Sequence, residues 1–357
     1  MKNFYILAIN PGSTSTKTTI FSNDKKIATE TISHSVKDLS VFESIMEQSE
    51  FRIKFIRDFI KKNNFQISKL SAVVGRGGLL TPMRSGTYIV NEEMIDFLKS
   101  NLLEHASNLG AILAKSIASE AGVNAYIVDP VVVDEMSKIA KITGIPEIKR
   151  VSIFHALNQK AAAREAAKRI GKKYRDSNFI VAHLGGGITV GIHKKGFVED
   201  VNNGLNGDGP FSPERTGSVP AWSLIEWATS GIYSLPELKK RITGKGGVVA
   251  HLGTNNMKEV RERIKEGDIK SEIIFKALAY NISKEIGSLA PVTKGEIDAV
   301  ILTGGLAFDT DLVQMISDNV KFIAPVIVLP GEDEMSALSG GVLRVLSGEE
   351  KAKIWQK

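Results

Sequence analysis

The sequence predicts an α/β fold built from two duplicated domains. Two stretches about half a chain apart share one pattern: an apolar strand, a turn with glycine and polar residues, and a second β-rich strand. The first stretch covers residues 4–21, and the second covers residues 179–192. Apolar runs of strand length alternate with segments of helical periodicity over the 357 residues, a length typical of about two domains.

The turn of the first stretch, residues 10–12, leads into a strand in which hydroxyls and one ammonium group alternate with threonines. Alternation along a strand predicts that Ser13, Ser15 and Lys17 lie on one face. These groups, together with backbone N–H groups exposed at a glycine turn, can bind a phosphate. The turn is not a Walker loop, because a strand rather than a helix follows it. The alternative interpretation is a Ser/Thr-rich hairpin tip.

A second motif follows a helix predicted at residues 41–63. Here a short apolar strand, residues 70–74, leads into Gly75-Arg76-Gly77-Gly78, before another helix predicted at residues 92–103. An arginine between glycines can extend away from the chain and form paired hydrogen bonds with a carboxylate or a phosphate. A surface turn with a solvated arginine is the alternative.

Two further candidates stand at the boundaries of elements. Asp129 directly follows the apolar strand at residues 125–128. Site residues of α/β folds often lie at such carboxyl ends, although an aspartate there can also cap a helix. His155 follows Phe154 at the start of a long helix ending at residue 170, a position where histidines more often cap or pack than catalyse.

The second half of the chain adds glycine-rich turns. The second hairpin turns at His183-Leu184-Gly185-Gly186-Gly187, where backbone N–H groups alone can approach a phosphate. Residues 200–220 form a predicted structureless loop that carries Arg215, and loops of this length are usually functional or disordered. A strand ending in Gly304-Gly305 is followed by a helix, and the last strand, residues 326–329, precedes a final helix at residues 335–347.

Composition excludes several classes of protein and site. The chain contains no cysteine, so disulfides, thiolate metal sites and a cysteine nucleophile are excluded. The net charge of +6 is mildly basic and scattered, which suits an anionic small molecule and predicts no nucleic-acid partner. No apolar stretch approaches about 18 residues, and the N-terminus does not have the pattern of a signal peptide. We therefore expect a cytoplasmic protein with no membrane partner.

The ordered set of motifs resembles the acetate kinase family. The opening Asn-Pro-Gly-Ser-Thr-Ser-Thr-Lys is similar to the first signature of that family, and the later motifs follow in the family's order. Four segments resemble the butyrate kinase branch in particular: Gly-Arg-Gly-Gly-Leu-Leu, Val-Asp-Pro-Val-Val-Val-Asp-Glu, Ile-Phe-His-Ala-Leu-Asn-Gln-Lys and Gly-Pro-Phe-Ser-Pro-Glu-Arg. The resemblance extends from residue 4 to about residue 345.

This resemblance implies the fold and the reaction. The fold would consist of duplicated actin-like (ribonuclease-H-like) ATPase domains with ATP in an interdomain cleft. Residues 1–150 with the C-terminal helix 336–357 would form the first domain, and residues 151–335 the second, nucleotide-binding domain. The reaction would be reversible, ATP-dependent phosphorylation of butyrate or a branched-chain acid to an acyl phosphate. Mg²⁺ would accompany ATP, and a homodimer or higher homo-oligomer is implied.

The resemblance also implies roles for individual residues. Arg76 and Arg215 would flank the transferring phosphoryl group and the carboxylate, and His155 would stabilise the phosphoryl group during transfer. Asp129 would order the metal, its water molecule or one of those arginines. The residues facing nucleotide and phosphates would be Asn10, Ser13, Ser15, Lys17, His183, Gly185, Gly186, Gly187, Gly304 and Gly305. Phe154 would lie in the acid pocket. The metal would be bound by Asn10 and by one acid before the last helix, where Glu332, Asp333 and Glu334 compete and Glu334 is preferred.

The chain departs from acetate kinases at two places. Gly186 stands where they carry an asparagine, which replaces a side-chain contact to phosphate by backbone. Gly77 and Gly78 stand where they carry bulky valines, and smaller walls would leave room for a longer acyl chain. This departure favours butyrate or isobutyrate over acetate as the substrate.

Three alternatives stay open. An acetate or propionate kinase would share the reaction and differ in chain length. A non-catalytic nucleotide-binding member of the same fold predicts loss of Arg76, Arg215 or Asp129, and all three residues are present. A Rossmann-type oxidoreductase requires a glycine fingerprint that leads from a strand into a helix, whereas residues 10–20 lead from strand into strand.

Overall fold

A computed structural model of the chain describes residues 3–100 and 105–357. The β-strands are β1 (Tyr5–Pro11), β2 (Ser15–Ser22), β3 (Lys25–Ser33), β4 (Ala72–Arg76), β5 (Thr87–Ile89), β6 (Ala125–Val128), β7 (Asn178–Leu184), β8 (Ile188–Lys194), β9 (Phe197–Val201), β10 (Ala299–Gly304), β11 (Val326–Pro330) and β12 (Lys353–Ile354). The α-helices are α1 (Val36–Leu39), α2 (Gln48–Lys62), α3 (Glu92–Ser100), α4 (Asn108–Ala121), α5 (Ala156–Arg169), α6 (Ala221–Thr229), α7 (Leu235–Thr243), α8 (Val248–Leu252), α9 (Met257–Lys265), α10 (Ile269–Leu289), α11 (Thr310–Val320) and α12 (Glu334–Leu346). Residues 101–103 of the helix predicted at 92–103 lie outside the described residues.

The chain divides into two compact units: unit 1 comprises Met1–Val133 and Asp333–Lys357, and unit 2 comprises Asp134–Glu332. Residues 134–150, which the resemblance assigned to the first domain, belong to unit 2. The reason is local: Ser137 N–H donates to Glu199 O at 3.0 Å, and Arg150 Nη1 lies 2.7 Å from Asp200 Oδ1. The C-terminal segment belongs to unit 1, because α12 packs against β1 and β12 pairs with β5.

Unit 1 is organised around a seven-stranded sheet with the order β12-β5-β6-β4-β1-β2-β3. The central strand β1 is antiparallel to β2 and parallel to β4, and its residues Ile6–Ile9 are fully buried. One large apolar core, to which α2, α3 and α4 contribute, packs on this sheet. The register of β1 and β2 places Asn10 opposite Lys17, at the end of the hairpin where the predicted phosphate loop lies.

Unit 2 repeats the inner part of this sheet. Its five strands have the order β11-β10-β7-β8-β9, in which β7 is antiparallel to β8 and parallel to β10, as β1 is to β2 and β4. In both units a third strand pairs with the second strand of the hairpin, and the register of that pairing shifts once. The shift lies between Ile20 and Phe21 in the β2–β3 pair and between Ile192 and His193 in the β8–β9 pair. Apolar cores lie against the sheet and include α10, α11 and α5. The prediction of a duplicated α/β fold is therefore confirmed.

One predicted helix begins later than its pattern indicated. The apolar spacing predicted a helix over residues 41–63, but residues 41–47 form turns and α2 starts at Gln48. Phe42, which the pattern assigned to a helix, is partly buried and still packs on Phe51, with 5.6 Å between the ring centroids. The structureless loop predicted at residues 200–220 begins two residues later, because Asp200 and Val201 belong to β9, and residues 202–220 contain no helix or strand. Among the described residues, none of the helices has the length and apolarity needed to span a bilayer.

Candidate active site

The hairpin turn between β1 and β2 forms the first part of the site in unit 1. Ser13 lies exposed in the turn, and Ser15 and Lys17 lie on the open face of β2, where the intervening Thr16 is buried. The turn is closed by Gly12 N–H, which donates to Ser15 O at 2.8 Å. Ser15 and Lys17 therefore share a face of β2, as alternation predicted, whereas Ser13 lies in the turn before the strand. That these groups bind a phosphate stays a prediction.

Arg52 of α2 is fully buried and donates hydrogen bonds to this loop. The sequence analysis did not identify this arginine. Its Nη1 donates to Gly12 O at 2.9 Å, to Ser15 O at 2.8 Å and to Thr16 Oγ1 at 3.0 Å. Its Nη2 donates to Ser13 O at 3.0 Å. Burial lowers the pKa of Arg52 to about 10, so the side chain is charged at neutral pH. One guanidinium group thus binds the backbone carbonyls of Gly12, Ser13 and Ser15 and fixes the shape of the loop.

A sequence signal for Arg52 existed. Arg52, Ile56 and Phe59 are spaced for one face of α2, and the other two are buried apolar residues. A charged residue at an apolar position of an amphipathic helix needs several polar partners. The hydroxyl-rich loop could have been proposed as that partner.

The second part of the site in unit 1 joins three predicted residues. Arg76 at the end of β4 pairs with Glu334, the first residue of α12, and Arg76 Nη1 lies 2.7 Å from Glu334 Oε1. Asn10 Nδ2 donates to the other carboxylate oxygen of Glu334. The carboxylate of Glu334 thus lies between an amide and a guanidinium group.

The two neighbouring acids have other surroundings. Asp333 caps α12 by accepting a hydrogen bond from Ser336 N at 3.2 Å, and Lys26 Nζ lies 2.6 Å from Asp333 Oδ2. Burial raises the pKa of Asp333, but the hydrogen bonds from Lys26 and Ser336 lower it more. Glu332 belongs to unit 2, where its Oε2 lies 3.9 Å from His183 Nε2. Of the three acids, Glu334 is the one in contact with Asn10 and Arg76.

Asp129 is almost completely buried, at 2% exposure, at the end of β6. Its φ is +39°, a conformation that non-glycine residues adopt mostly where the surroundings impose it. Its carboxylate accepts a hydrogen bond from Gly86 N at 2.7 Å, and its own N–H donates to Gly86 O. No helix follows, so the capping interpretation is wrong. Its action on a metal, a water molecule or an arginine stays a prediction.

The two glycines after Arg76 do not leave open space. A Cβ on Gly77 would lie 2.5 Å from Pro130 Cβ, and one on Gly78 would lie 2.6 Å from Asn108 Oδ1. Pro130 and Asn108 fill the volume that larger side chains would need. The interpretation that the missing side chains widen a pocket is therefore wrong, whereas a role of both residues in acid binding stays a prediction.

In unit 2, the rings of two histidines predicted as site residues stack on each other. The rings of His155, at the N-cap of α5, and His183, near the end of β7, lie 3.7 Å apart at 10°. His155 Nδ1 lies 2.9 Å from Thr189 Oγ1, and His183 Nδ1 lies 2.7 Å from Asn158 Oδ1. Each ring is therefore fixed by a hydrogen bond at Nδ1.

The glycine turn after His183 receives Arg215. A Cβ on Gly187 would lie 2.0 Å from Arg215 Nη1, so only glycine admits the guanidinium group there. Arg215 Nη1 donates to Gly204 O, and Ser212 Oγ accepts from Arg215 N at 3.1 Å while it donates to Gly186 O at 2.6 Å. The loop at residues 202–220 and the glycine turn are thereby joined.

The Arg215 side chain has an unused donor. Its Nε is buried and has no hydrogen-bond partner among the described residues. Burial lowers the pKa of Arg215, and the charge of Glu214 partly offsets this. A buried cation with an unpaired N–H gains from the arrival of an anion that accepts from it.

Three more residues of unit 2 were predicted as site residues: Phe154, Gly304 and Gly305. Phe154, directly before His155, is buried at 2% exposure. Gly304 ends β10 with φ +89°, and a Cβ there would lie 2.4 Å from Leu184 O, so it packs against the strand that carries His183. Gly305 is exposed, with nothing within 4 Å of its Cβ position.

Comparison of the sequence with known proteins identifies one family. Residues 138–324 match the model of the acetokinase family. The chain is 54% identical over 351 residues to butyrate kinase 2 of Clostridium acetobutylicum, covering 98% of this chain and 99% of that protein. It is 52% identical to butyrate kinase 1 of the same organism over the same shares of both chains.

The fold of the chain is similar to that of solved acetate kinases. The crystal structure of Porphyromonas gingivalis acetate kinase superposes with a TM-score of 0.80 over 96% of this chain and 100% of that one, at 18% identity. This likeness confirms the actin-like ATPase fold expected from the motifs. Because the family model covers more than half of the chain, and because two relatives exceed 50% identity over nearly its whole length, the protein belongs to the acetokinase family.

Proposed function

We propose that this protein transfers the γ-phosphoryl group of ATP to the carboxylate of butyrate or a branched-chain short fatty acid. The products are an acyl phosphate and ADP, and the reaction is reversible. The observation that carries the proposal is the 54% identity, over 98% of the chain, to a protein named butyrate kinase 2. Acetate or propionate as the preferred substrate is the second candidate, supported by the fold shared with acetate and propionate kinases.

The reaction forms a bond between a carboxylate oxygen and the γ-phosphorus, and it breaks the bond from that phosphorus to the β,γ-bridging oxygen. The carboxylate is already ionised, so no strong general base is required. Two anions must approach in line, and negative charge spreads over the phosphoryl oxygens. Placement and electrostatic stabilisation therefore account for most of the catalysis.

The residues of unit 2 supply suitable groups for this chemistry. We propose that Arg215 donates to the transferring phosphoryl group or to the acid, and its buried, unpartnered Nε supports this role. His155 would donate to the phosphoryl oxygens, with Phe154 in the acid pocket. His183, the N–H groups of Gly185–Gly187 and the glycines at 304 and 305 would face the nucleotide. The exposure of Gly186 supports an approach by backbone N–H groups there.

The residues of unit 1 supply the other groups. We propose that Ser13, Ser15 and Lys17 bind ATP phosphates and that Arg76 binds the acid or the phosphoryl group. Asp129 would order the metal, its water molecule or one of the two arginines. The contact of Glu334 with Asn10 and Arg76 supports Glu334 as the acid linked to the metal.

Mg²⁺ fits this donor set, because it is usually bound by one or two carboxylates together with phosphate oxygens of the substrate. Glu334 offers a carboxylate and Asn10 an amide oxygen. The ion would neutralise negative charge on the phosphates of ATP. Arg76 would keep the carboxylate of Glu334 aligned, as it does in the ion pair described above.

The test is a hydroxamate assay with ATP and Mg²⁺ across acetate, propionate, butyrate, isobutyrate and isovalerate. A maximum at four or five carbons supports the proposal in full. A maximum at acetate or propionate keeps the reaction and replaces the substrate. A folded protein that binds ATP but yields no hydroxamate with any acid would overturn the proposal in favour of a non-catalytic member of the fold. We also propose that the protein is cytoplasmic and forms a homodimer or higher homo-oligomer. Light scattering of the purified chain tests the oligomeric state.

A further inference from the structure

A chain of hydrogen bonds behind His155 has no role in the function proposed above. It runs from Tyr174 through His193, Gln159 and Thr189 to His155, all within unit 2. Gln159, Thr189 and His193 are fully buried. Buried polar groups are costly unless their hydrogen bonds are satisfied, so such a chain has a defined direction of donors and acceptors.

The direction follows from Gln159. Its Nε2 lies 3.0 Å from Thr189 O and 2.9 Å from Thr189 Oγ1. A backbone carbonyl can only accept, so the NH₂ group of the amide faces Thr189. The amide oxygen Oε1 therefore faces the other way, where His193 Nε2 lies at 3.0 Å.

His193 is consistent with this direction. Burial, with the charges of Lys160 and Arg164, lowers the pKa of His193 well below its usual value, so the ring is neutral at neutral pH. Its single proton must lie on Nε2 to be donated to Gln159 Oε1. Its Nδ1 then accepts from the Tyr174 hydroxyl at 2.8 Å.

The same reasoning applies to Thr189. Its Oγ1 accepts an N–H of Gln159, so its own hydroxyl hydrogen needs an acceptor. His155 Nδ1 lies 2.9 Å from Thr189 Oγ1. If Thr189 donates to this nitrogen, the proton of the neutral His155 ring is on Nε2.

We propose that Thr189 and Gln159 are positioning residues that hold His155 as the neutral tautomer with its proton on Nε2. This tautomer donates a hydrogen bond from Nε2, which is what a group that stabilises phosphoryl oxygens must do. The catalytic meaning rests on the function proposed above. The tautomer itself does not, because it is inferred from the hydrogen bonds among Gln159, Thr189 and His155.

The direct test is nitrogen NMR of the full chain labelled with ¹⁵N-histidine at neutral pH, with His155 assigned by the signals lost in His155→Gln. We expect a protonated Nε2 and an unprotonated, hydrogen-bonded Nδ1. A proton on Nδ1 in the parent protein overturns the proposal, whatever the activity of the enzyme. The measurement needs neither substrate nor turnover, so it separates this inference from the proposed reaction.

Variants extend the test. Thr189→Val removes the hydroxyl at nearly constant shape, and we expect the Nδ1 signal of His155 to move away from its hydrogen-bonded position. Thr189→Ser keeps the hydroxyl and should restore the parent signal. Thr293→Val is the matched control, because Thr293 is a buried threonine of the same unit whose Oγ1 has no hydrogen-bond partner among the described residues. An unchanged His155 signal in Thr189→Val overturns the proposal.

Kinetics give a second readout. Loss of one neutral hydrogen bond should lower kcat of Thr189→Val about three- to tenfold. KM for ATP and for the acid should stay within about twofold, because the effect concerns the transition state rather than binding. A fall in kcat with the parent NMR spectrum would indicate a structural effect and would contradict the role assigned to Thr189. If Thr189→Val does not fold, the parent spectrum still decides the question.

Discussion

Arg76 Nη1 lies 2.7 Å from Glu334 Oε1, an ion pair that joins the end of β4 to the first turn of α12. The sequence left three neighbouring acids as candidates for one position. The structure gives Asp333 a capping bond, places Glu332 in unit 2, and brings Glu334 into contact with both Asn10 and Arg76. Glu334 is therefore the acid on which the proposed metal site depends.

Replacing Glu334 by glutamine tests this assignment. The variant Glu334→Gln keeps the size of the side chain and removes its charge, so the attraction to a divalent cation and to Arg76 is lost. We expect turnover to fall by about 10²-fold or more, the size of one electrostatic contribution in an active site. The concentration of Mg²⁺ for half-maximal activity should rise, which a magnesium titration of hydroxamate formation measures.

Asp333→Asn is the matched control for that experiment. It makes the same change one residue earlier, and asparagine caps helices about as well as aspartate. Its turnover and magnesium requirement should match those of the parent. Equal losses in both variants would indicate a general effect of charge near α12 and would contradict the assignment of Glu334.

The two candidate arginines give a second prediction. Arg76→Ala or Arg215→Ala should lower turnover by about 10³-fold or more, because one arginine at a phosphoryl group can contribute on the order of 10³–10⁵ in rate. Both variants should show the parent circular dichroism spectrum. Arg57→Ala is the control, since Arg57 pairs with Glu120 on the surface of unit 1. Near-parent turnover in either site variant would remove that arginine from the site.

A third prediction concerns the approach of Arg215 to the glycine turn. Gly187→Ala would place a methyl group 2.0 Å from the present position of Arg215 Nη1, so the guanidinium group must move. We expect at least about a tenfold loss of turnover, since small misplacements of catalytic groups are costly. Gly287→Ala is the control, because Gly287 lies in α10 of the same unit and nothing lies within 4 Å of its Cβ position. Parent-like turnover in Gly187→Ala would show that the position of Arg215 is unimportant.

Much of the fold followed from local patterns. The hairpins that contain β1 and β7 were recognised from apolar strands, glycine turns and alternating residues, and their common topology follows from these local rules. The loop at residues 202–220 was also recognised, because its glycines, prolines and asparagines favour neither helix nor strand. Such features depend on residues that are close in the chain.

Contacts between distant residues could not be predicted in the same way. Glu334 was one of three candidates because its choice depends on Asn10, which lies at the other end of the chain. Gly77 and Gly78 suggested open space, but Pro130 and Asn108 fill it. Arg52 was missed because helical periodicity identifies apolar residues and gives no partner for a charge on the same face.

A fourth prediction concerns Arg52. Arg52→Lys keeps the charge but loses the planar group that donates to the carbonyls of Gly12, Ser13 and Ser15. We expect the free energy of unfolding to fall by about 3 kcal/mol, the contribution of one or two hydrogen bonds to a charged group. KM for ATP should rise more than kcat falls, because the loop loses its fixed shape.

Arg57→Lys is the control for Arg52→Lys, on the same helix and at the surface. Its pair with Glu120 is exposed, so its loss should cost less than about 1 kcal/mol and leave KM for ATP unchanged. Chemical denaturation and ATP titration of the two variants measure both effects. An Arg52→Lys variant with parent stability and parent KM would show that the loop does not depend on Arg52.

The last prediction concerns the pH dependence of stability. Burial raises the pKa of Glu285 in α10 to about 7, with further increases from Asp208 and Asp200 and decreases from Arg150 and Lys284. Its ordinary value is 4.5, so the folded state holds this proton more tightly than the unfolded state does. The stabilisation is complete below pH 4.5 and is lost as pH rises through about 7.

Glu285→Gln mimics the protonated side chain and should remove this loss. Above pH 7 the free energy of unfolding of the variant should exceed that of the parent by up to about 3 kcal/mol, at 1.36 kcal/mol per pKa unit, and the difference should vanish near pH 4.5. Glu272→Gln, on the exposed side of the same helix, should show no such trend. Denaturation curves of the three proteins between pH 4.5 and 8.5 measure the difference, and parallel curves for Glu285→Gln and the parent would contradict it, because equal slopes mean that Glu285 keeps its ordinary pKa in the folded chain.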